Sequence, residues 1–186
     1  MRWMSVRIIC IMGRSGSGKS SIRDSLSRMG YYRLISYTTR GPEDGEVHGR
    51  DYHFVNKNEF IGLLHKDIIM EWTEYNGSFY GAPHPIGSMN NVVIMEPEGY
   101  RTIKERYGKQ VIGVYVEVPT DLVGARSEEM VGRQGKELET GIEERRTTDN
   151  IRFKGIEKEV ELVVDGTKDI TTVTAEILKY ISENKL

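Results

Sequence analysis

The chain has 186 residues, 38% hydrophobic and 29% charged, with 26 basic against 28 acidic side chains and a net charge of -2. That length suits one well-buried domain with room for a small subdomain. The near-neutral balance favours neither nucleic acid nor an anionic membrane as partner, and no apolar run approaches the length of a bilayer span.

Met1 to Met4 is too short for a signal sequence, and a lone cysteine cannot form an internal disulfide, so the expected compartment is the cytoplasm. Val6 to Met12 is a short, mostly apolar run of the kind that makes a buried parallel strand. Cys10 falls inside it, which predicts core packing rather than reactivity.

The strand runs into Gly13-Arg14-Ser15-Gly16-Ser17-Gly18-Lys19-Ser20, which fits the phosphate-loop pattern G-x-x-x-x-G-K-[ST] at every fixed position. Glycines let the backbone turn tightly and approach an anion, so that successive N–H groups and a helix N-terminus face phosphate oxygens. Candidate contacts to the phosphates of ATP are therefore Gly13, Ser15, Gly16, Ser17, Gly18, Lys19, Ser20 and Ser21. Lys19 adds a mobile positive charge, and the Ser20 hydroxyl is placed to ligate Mg²⁺. From Ser20 to Met29, the apolar residues Ile22, Leu26 and Met29 share one face of a helix.

Gly30 marks a stop, and Tyr31 to Tyr37 reads as a second strand, followed by a loop over 38–46 rich in turn formers. Asp51 to Val55 alternates like a short strand. Asn56 with Glu59 forms a capping box for a short helix through Leu64. Ile68 to Tyr75 and Ser78 to Tyr80 flank Asn76-Gly77, a two-residue hairpin signal. Asn76-Gly77-Ser78 also spells a glycosylation site, read here as a turn. Residues 36–85 thus form a β-rich insertion.

The strand–helix rhythm resumes with a buried strand at 92–95, a helix from Glu98 to Arg106 and a strand from Val111 to Val118. Thr120 to Val131 reads as helix, 132–136 as a break and about 140–156 as a long polar helix. A last core strand at 162–164 precedes a helix capped by Asp169 or Thr171, with Ile170, Val173, Ile177, Leu178 and Ile181 as its apolar stripe. The fold class expected is α/β: a parallel sheet core with helices on both faces.

These motifs together resemble the guanylate kinases, P-loop nucleoside monophosphate kinases, over nearly the whole chain. The resemblance rests on the phosphate loop, Ser36-Tyr37-Thr38-Thr39-Arg40, Gly45-Glu46-Val47, Asp51-Tyr52-His53-Phe54-Val55, Glu71-Trp72 and Tyr80-Gly81, in family order and spacing. It implies a core at 1–35, 86–125 and 155–186, a monophosphate-binding subdomain at about 36–85 and a helical lid at about 126–154. It implies transfer of the ATP γ-phosphoryl group to GMP or dGMP with Mg²⁺, by a monomer or homodimer.

Guanine offers N1–H and N2–H donors beside its O6 acceptor, and a carboxylate can take two donors at once. Glu71 matches the family's guanine-binding glutamate, and Ser36 the hydroxyl aimed at the base. Arg40, Tyr52 and Tyr80 match the groups that hold the monophosphate. Alone, Glu71 could be a solvated strand residue and the tyrosines half-buried packing; their joint occurrence at family spacing favours a site. Lys19, Arg133 and Arg145 or Arg146 resemble the charges that neutralise the transferred group, and lid closure would exclude water.

Four departures stand out. Glu43 replaces a second arginine beside the monophosphate. Ile94 and Glu96 stand where the family has two acidic residues; Glu96 is counted with the GMP-binding residues and could partly substitute for the carboxylate that anchors Mg²⁺ or its waters. Glu129 takes a basic lid position, with Arg126 one turn away. Pro83 and Pro85 shorten or remove a helix over the acceptor pocket. The expectation is a divergent enzyme of lower rate or altered acceptor preference. Other readings are a kinase for another phosphorylated acceptor, an interaction module without catalysis, and a regulator that hydrolyses ATP. His48, His53, His65 and His84 lack ligand spacing, and Trp3 and Trp72 read as packing residues.

Overall fold

The computed structural model describes residues 7–75, 77–87, 89–119 and 149–184. The first strand, β1 (Ile8–Met12), is fully buried. It lies at the centre of a five-stranded parallel sheet with β2 (Tyr32–Arg33), β7 (Asn91–Ile94), β8 (Val111–Glu117) and β9 (Leu162–Asp165), in the order β2-β7-β1-β8-β9. A strand buried on both faces has no polar alternation, which is why the apolar runs at these positions are continuous.

Successive side chains of β1 still point to opposite faces. Ile8, Cys10 and Met12 pack with Tyr100 and Ile103 of helix α3 (Pro97–Tyr107) and with Phe153 and Ile156. Ile9 and Ile11 pack with Ile22 and Leu26 of α1 (Lys19–Arg28) and with Val173, Ile177 and Ile181 of α4 (Ile170–Glu183). Helices therefore cover both faces, as expected. Cys10 is a core residue, and burial pushes its thiol far above the ordinary range.

The Asp169 carboxylate accepts the Thr172 N–H at 2.9 Å, which identifies Asp169 rather than Thr171 as the cap of α4. Helix α3 carries Pro97 at its first turn, where a missing N–H costs nothing. It is fixed to the sheet through Tyr100, whose ring lies over Gly113 of β8. Its hydroxyl donates to the Glu159 carbonyl at 3.1 Å and Glu161 Oε2 at 3.0 Å. Glu161 also accepts the Gly113 N–H and pairs with Lys104.

A Cβ at Gly113 would fall 2.6 Å from Tyr100 Cε2 and 2.7 Å from Cζ. Because the hydroxyl pins the ring, Gly113→Ala is expected to destabilise by about 1–3 kcal/mol through overpacking. Urea denaturation checks this, and an unchanged midpoint would contradict it.

A second sheet has the order β4-β3-β6-β5, from β3 (Tyr37–Thr38), β4 (His53–Phe54), β5 (Ile69–Tyr75) and β6 (Ser78–Pro83). The hairpin expected at Asn76-Gly77 is β5–β6, paired from Tyr75–Ser78 to Ile69–Pro83 with a bulge between Ile69 and Glu71. Helix α2 (Lys57–His65) has both bonds of its capping box, Glu59 N to Asn56 Oδ1 at 2.9 Å and Asn56 N to Glu59 Oε2 at 2.7 Å. Phe60 plugs α2 onto this sheet, with its ring 5.6 Å from Phe79.

Two expected elements differ. The strand expected over Tyr31 to Tyr37 is two strands in different sheets. The Leu34 N–H still reaches the Val92 carbonyl, and then the chain leaves the core sheet to enter β3. Of the polar helix expected over about 140–156, residues 140–148 lie outside the described residues; 149–152 are helical, and the expected C-terminal end is broken by Gly155, whose φ of 87° closes a turn into a 3₁₀ segment at Ile156–Lys158. The described residues between β6 and β7 hold no helix. Asn91 organises them instead, accepting the Ile86 N–H and donating to the Met89 carbonyl. Trp72 is 50% exposed, and its one-sided packing is an edge contact with Phe79 at 5.4 Å; Trp3 lies outside the described residues.

Candidate active site

The loop between β1 and α1 approaches the sheet too closely for a side chain at its first position: a Cβ at Gly13 would meet Ser17 Oγ at 2.6 Å and the Val116 carbonyl at 2.9 Å. Gly16 and Gly18 have φ of 77° and 92°, which L side chains rarely adopt. Gly18 then caps α1 with its backbone. Ser17 is buried, while Ser20 and Ser21 are exposed at the start of the helix. The Lys19 ammonium donates to the Gly13 carbonyl at 2.6 Å and the Arg14 carbonyl at 2.9 Å, so the loop holds its own cation in place. Burial lowers the Lys19 pKa, and the carboxylates of Glu96 and Asp149 act against that.

Asp149 was not anticipated. Its Oδ2 accepts the Ser15 N–H at 2.9 Å, so a carboxylate already occupies one of the loop's donors. A loop built from exposed amides at a helix start takes anions in this way.

One cavity of about 240 Å³ is lined by Gly13, Ser15, Lys19, Ser36, Arg40, Tyr52, Glu71, Tyr80 and Glu96, all named from the sequence, together with Glu43, Thr73, Tyr75, Gly81, Ile94, Met95 and Asp149. It lies where the two sheets meet. Glu71, Thr73 and Tyr75 reach it through the period-two alternation of β5, a signal present in the sequence. Gly16, Ser17, Gly18, Ser20 and Ser21 belong to the loop but are not among the lining residues. A second cavity of about 730 Å³ is lined by Arg14, the ends of β8 and β9, Pro119 and Lys168.

Glu71 is 8% exposed, not a solvated strand residue. Burial pushes its carboxyl up to about 7, an N–H from Ala82 pulls it back, and the charge of Glu96 raises it further. Glu96 sits just before α3; its Oε2 is buried with no hydrogen-bond partner among the described residues, and burial raises its pKa. Arg40 donates to Glu46 Oε1 at 2.8 Å and to the Gly41 carbonyl at 2.8 Å, with Glu43 Oε1 at 3.4 Å. It also lies 5.6 Å over the Tyr52 ring, and Tyr80 meets Tyr52 edge-on at 6.0 Å. Burial raises the Tyr52 pKa, so its hydroxyl stays a neutral donor.

Arg133, Arg145 and Arg146, with Arg126 and Glu129, lie outside the described residues. Among the described residues no group of three His, Cys, Asp or Glu side chains could hold a metal ion, and no helix is long and apolar enough to cross a membrane.

A protein-family profile described as guanylate kinase matches residues 5–183. A guanylate kinase of Halalkalibacterium halodurans is 32% identical over 182 residues, covering 89% of this chain and 87% of that one. A guanylate kinase of Wolinella succinogenes is 34% identical over 121 residues, 61% of this chain and 56% of that one, so this match spans little more than half of the relative. Among solved structures, guanylate kinase from Anaplasma phagocytophilum superposes with a TM-score of 0.75 at 21% identity, covering 98% of this chain and 88% of that one. At that identity the superposition speaks for the fold.

Proposed function

The chain belongs to the guanylate kinase family, and from that premise we infer that it transfers the γ-phosphoryl group of ATP to GMP or dGMP, giving ADP and GDP or dGDP. The observation that carries this reading is the shared cavity. The phosphate loop with Lys19 opens into the same space as Glu71, Ser36, Arg40, Tyr52 and Tyr80, which come from the second sheet, its β3–β4 loop and the segment leading into it from the core. Phosphoryl transfer asks a protein chiefly to set donor and acceptor in line and to balance the charge of the transferred group. The cavity beside Arg14 leaves room for the rest of the donor.

In this reading the Glu71 carboxylate takes the two guanine donors, with Ser36 beside it, while Arg40, Tyr52 and Tyr80 hold the monophosphate. The division into a core, a monophosphate-binding insertion at about 36–85 and a lid at about 126–154 carrying Arg133 and Arg145 belongs to the same proposal. So does placement in the cytoplasm, where both nucleotides are found.

Mg²⁺ fits the residues present. The buried, unpartnered Oε2 of Glu96 lies in the cavity that Lys19 lines, which suits an acceptor for metal-bound water. The Ser20 hydroxyl is exposed at the start of α1. When bound, the ion would neutralise phosphate charge. Glu96 and Ser20 would hold it, and Ile94 contributes no ligand.

The clasp of Glu46 and Glu43 on Arg40 favours a second reading, a kinase of this fold whose acceptor phosphate is gripped differently. An interaction module without catalysis is disfavoured by the intact Lys19 and Ser20. ADP formation with GMP, dGMP, AMP, CMP, UMP and dTMP separates these. The expected result is turnover with GMP and dGMP exceeding the other four roughly 100-fold or more, because a site built for a hydrogen-bonding edge strongly rejects bases lacking it. A different preferred acceptor would favour the second reading, and no turnover with any of the six would overturn the first.

A further inference from the structure

Glu71 is held from two sides. One is its own hairpin, through the Ala82 N–H. The other is the first turn of α3, where Gly99 is the third residue and is buried. A Cβ built on Gly99 would lie 2.6 Å from Glu71 Oε2, 2.9 Å from Cδ and 3.2 Å from Oε1. Even a weak C–H···O contact needs about 3.3–3.6 Å between carbon and oxygen. The carboxylate therefore occupies the volume that any side chain at position 99 would require.

The surroundings decide which partner would give way. Tyr100, next in sequence to Gly99, ties α3 through its two hydroxyl contacts to Glu159 and Glu161, just before β9, and Glu161 in turn holds the Gly113 N–H of β8, so the helix does not retreat. At Gly113 and Gly81 an added Cβ would meet a pinned ring or a packed core side chain with backbone behind it; at Gly99 all three nearest atoms belong to the end of one flexible side chain. Gly99 also lacks a left-handed backbone conformation that would exclude alanine. An added methyl would thus move the carboxylate and spare the fold.

We propose that Gly99 is a positioning residue for guanine recognition: its bare Cα seats the Glu71 carboxylate against the first turn of α3, and position 99 thereby sets how tightly the pocket holds the base. The proposal rests on the guanine reading of Glu71 given above. Alanine at 99 keeps every guanine-reading group but turns the carboxylate away from its seat. The acceptor side weakens while the loop that holds the donor is untouched.

The test is calorimetry with GMP and with a non-hydrolysable ATP analogue on wild type, Gly99→Ala, Glu71→Gln and the double variant, with thermal melting of each. The expected result for Gly99→Ala is a GMP Kd raised roughly 10- to 100-fold, the loss of one or two charge-assisted hydrogen bonds. Its ATP-analogue Kd stays unchanged and its melting temperature does not fall, since alanine suits a helix better than glycine. The double variant binds GMP no more weakly than Glu71→Gln, because the methyl acts only through the carboxylate. A normal GMP Kd in Gly99→Ala beside a weakened Glu71→Gln would overturn this proposal alone. A wild-type GMP Kd in Glu71→Gln would overturn the guanine reading and this proposal with it. Should Gly99→Ala lose its fold, Gly99→Ala with Glu71→Ala decides: melting like Glu71→Ala alone supports the contact, and melting no better than Gly99→Ala overturns it.

Discussion

Lys19→Met is expected to lower kcat for ADP formation by roughly 100- to 1000-fold, the cost of removing one preorganised charge from the group in flight. The ammonium is already set before any nucleotide arrives, tied to the Gly13 and Arg14 carbonyls at the mouth of the cavity. Pinned in this way, it meets developing charge without reorganisation. Methionine keeps the length of the stem and deletes the charge. GMP affinity, read by calorimetry, should be nearly unchanged, because the contacts proposed for the acceptor's base and phosphate come from other elements. Because the lost interaction is strongest in the transition state, kcat and kcat/KM should fall together. A kcat within threefold of wild type would show that Lys19 is structural.

Asp149 sharpens that argument. Its carboxylate accepts from Ser15 at the position where the loop would otherwise offer an amide to phosphate. With Glu96 it also places negative charge close to Lys19, opposing the effect of burial on the ammonium. Among the described residues Lys19 is thus flanked by two carboxylates, and an incoming polyphosphate must displace that of Asp149 from Ser15 to reach the amide.

Much of this was legible in the chain itself. The phosphate loop, the capping box of α2 and the β5–β6 hairpin are local devices whose partners lie within a few residues, so their chemistry is written in short stretches. The period of β5 likewise places Glu71, Thr73 and Tyr75 on one face. What escaped depends on distance or on continuity. Asp149 reaches Ser15 from 134 positions away, out of a polar stretch that offers no periodic or compositional cue. The run from Tyr31 to Tyr37 contains no Gly or Pro, so nothing in it announces that Leu34 closes one sheet and Tyr37 opens another. Glu43 stood out as an unexpected charge. That Arg40 would be clasped by Glu46 as well follows only once the 38–46 loop is folded back.

Glu71→Gln should weaken GMP by about 1–3 kcal/mol and leave AMP largely unaffected, since the amide offers a donor where guanine presents its own. The same residue gives the pocket a pH dependence. Burial holds the Glu71 carboxyl up to about 7, whereas two base donors can be accepted only by the ionised form. GMP affinity in wild type should therefore rise up to about tenfold per pH unit below 7 and level off above it, with proton release on binding. The phosphate titrates in the same range, and AMP carries the same phosphate, so the GMP-minus-AMP difference isolates Glu71. In Glu71→Gln that difference should be flat. Stability runs the opposite way: a carboxyl raised on folding favours the native state below its ordinary pKa, near 4.5, and loses that contribution as pH climbs through about 7. Relative to wild type, Glu71→Gln should gain on the order of 2–3 kcal/mol between pH 4 and pH 8. Calorimetry in buffers of different ionisation heat, with urea melts at both pH values, checks the two signs together. Equal pH slopes for GMP and AMP in wild type would remove Glu71 from base recognition.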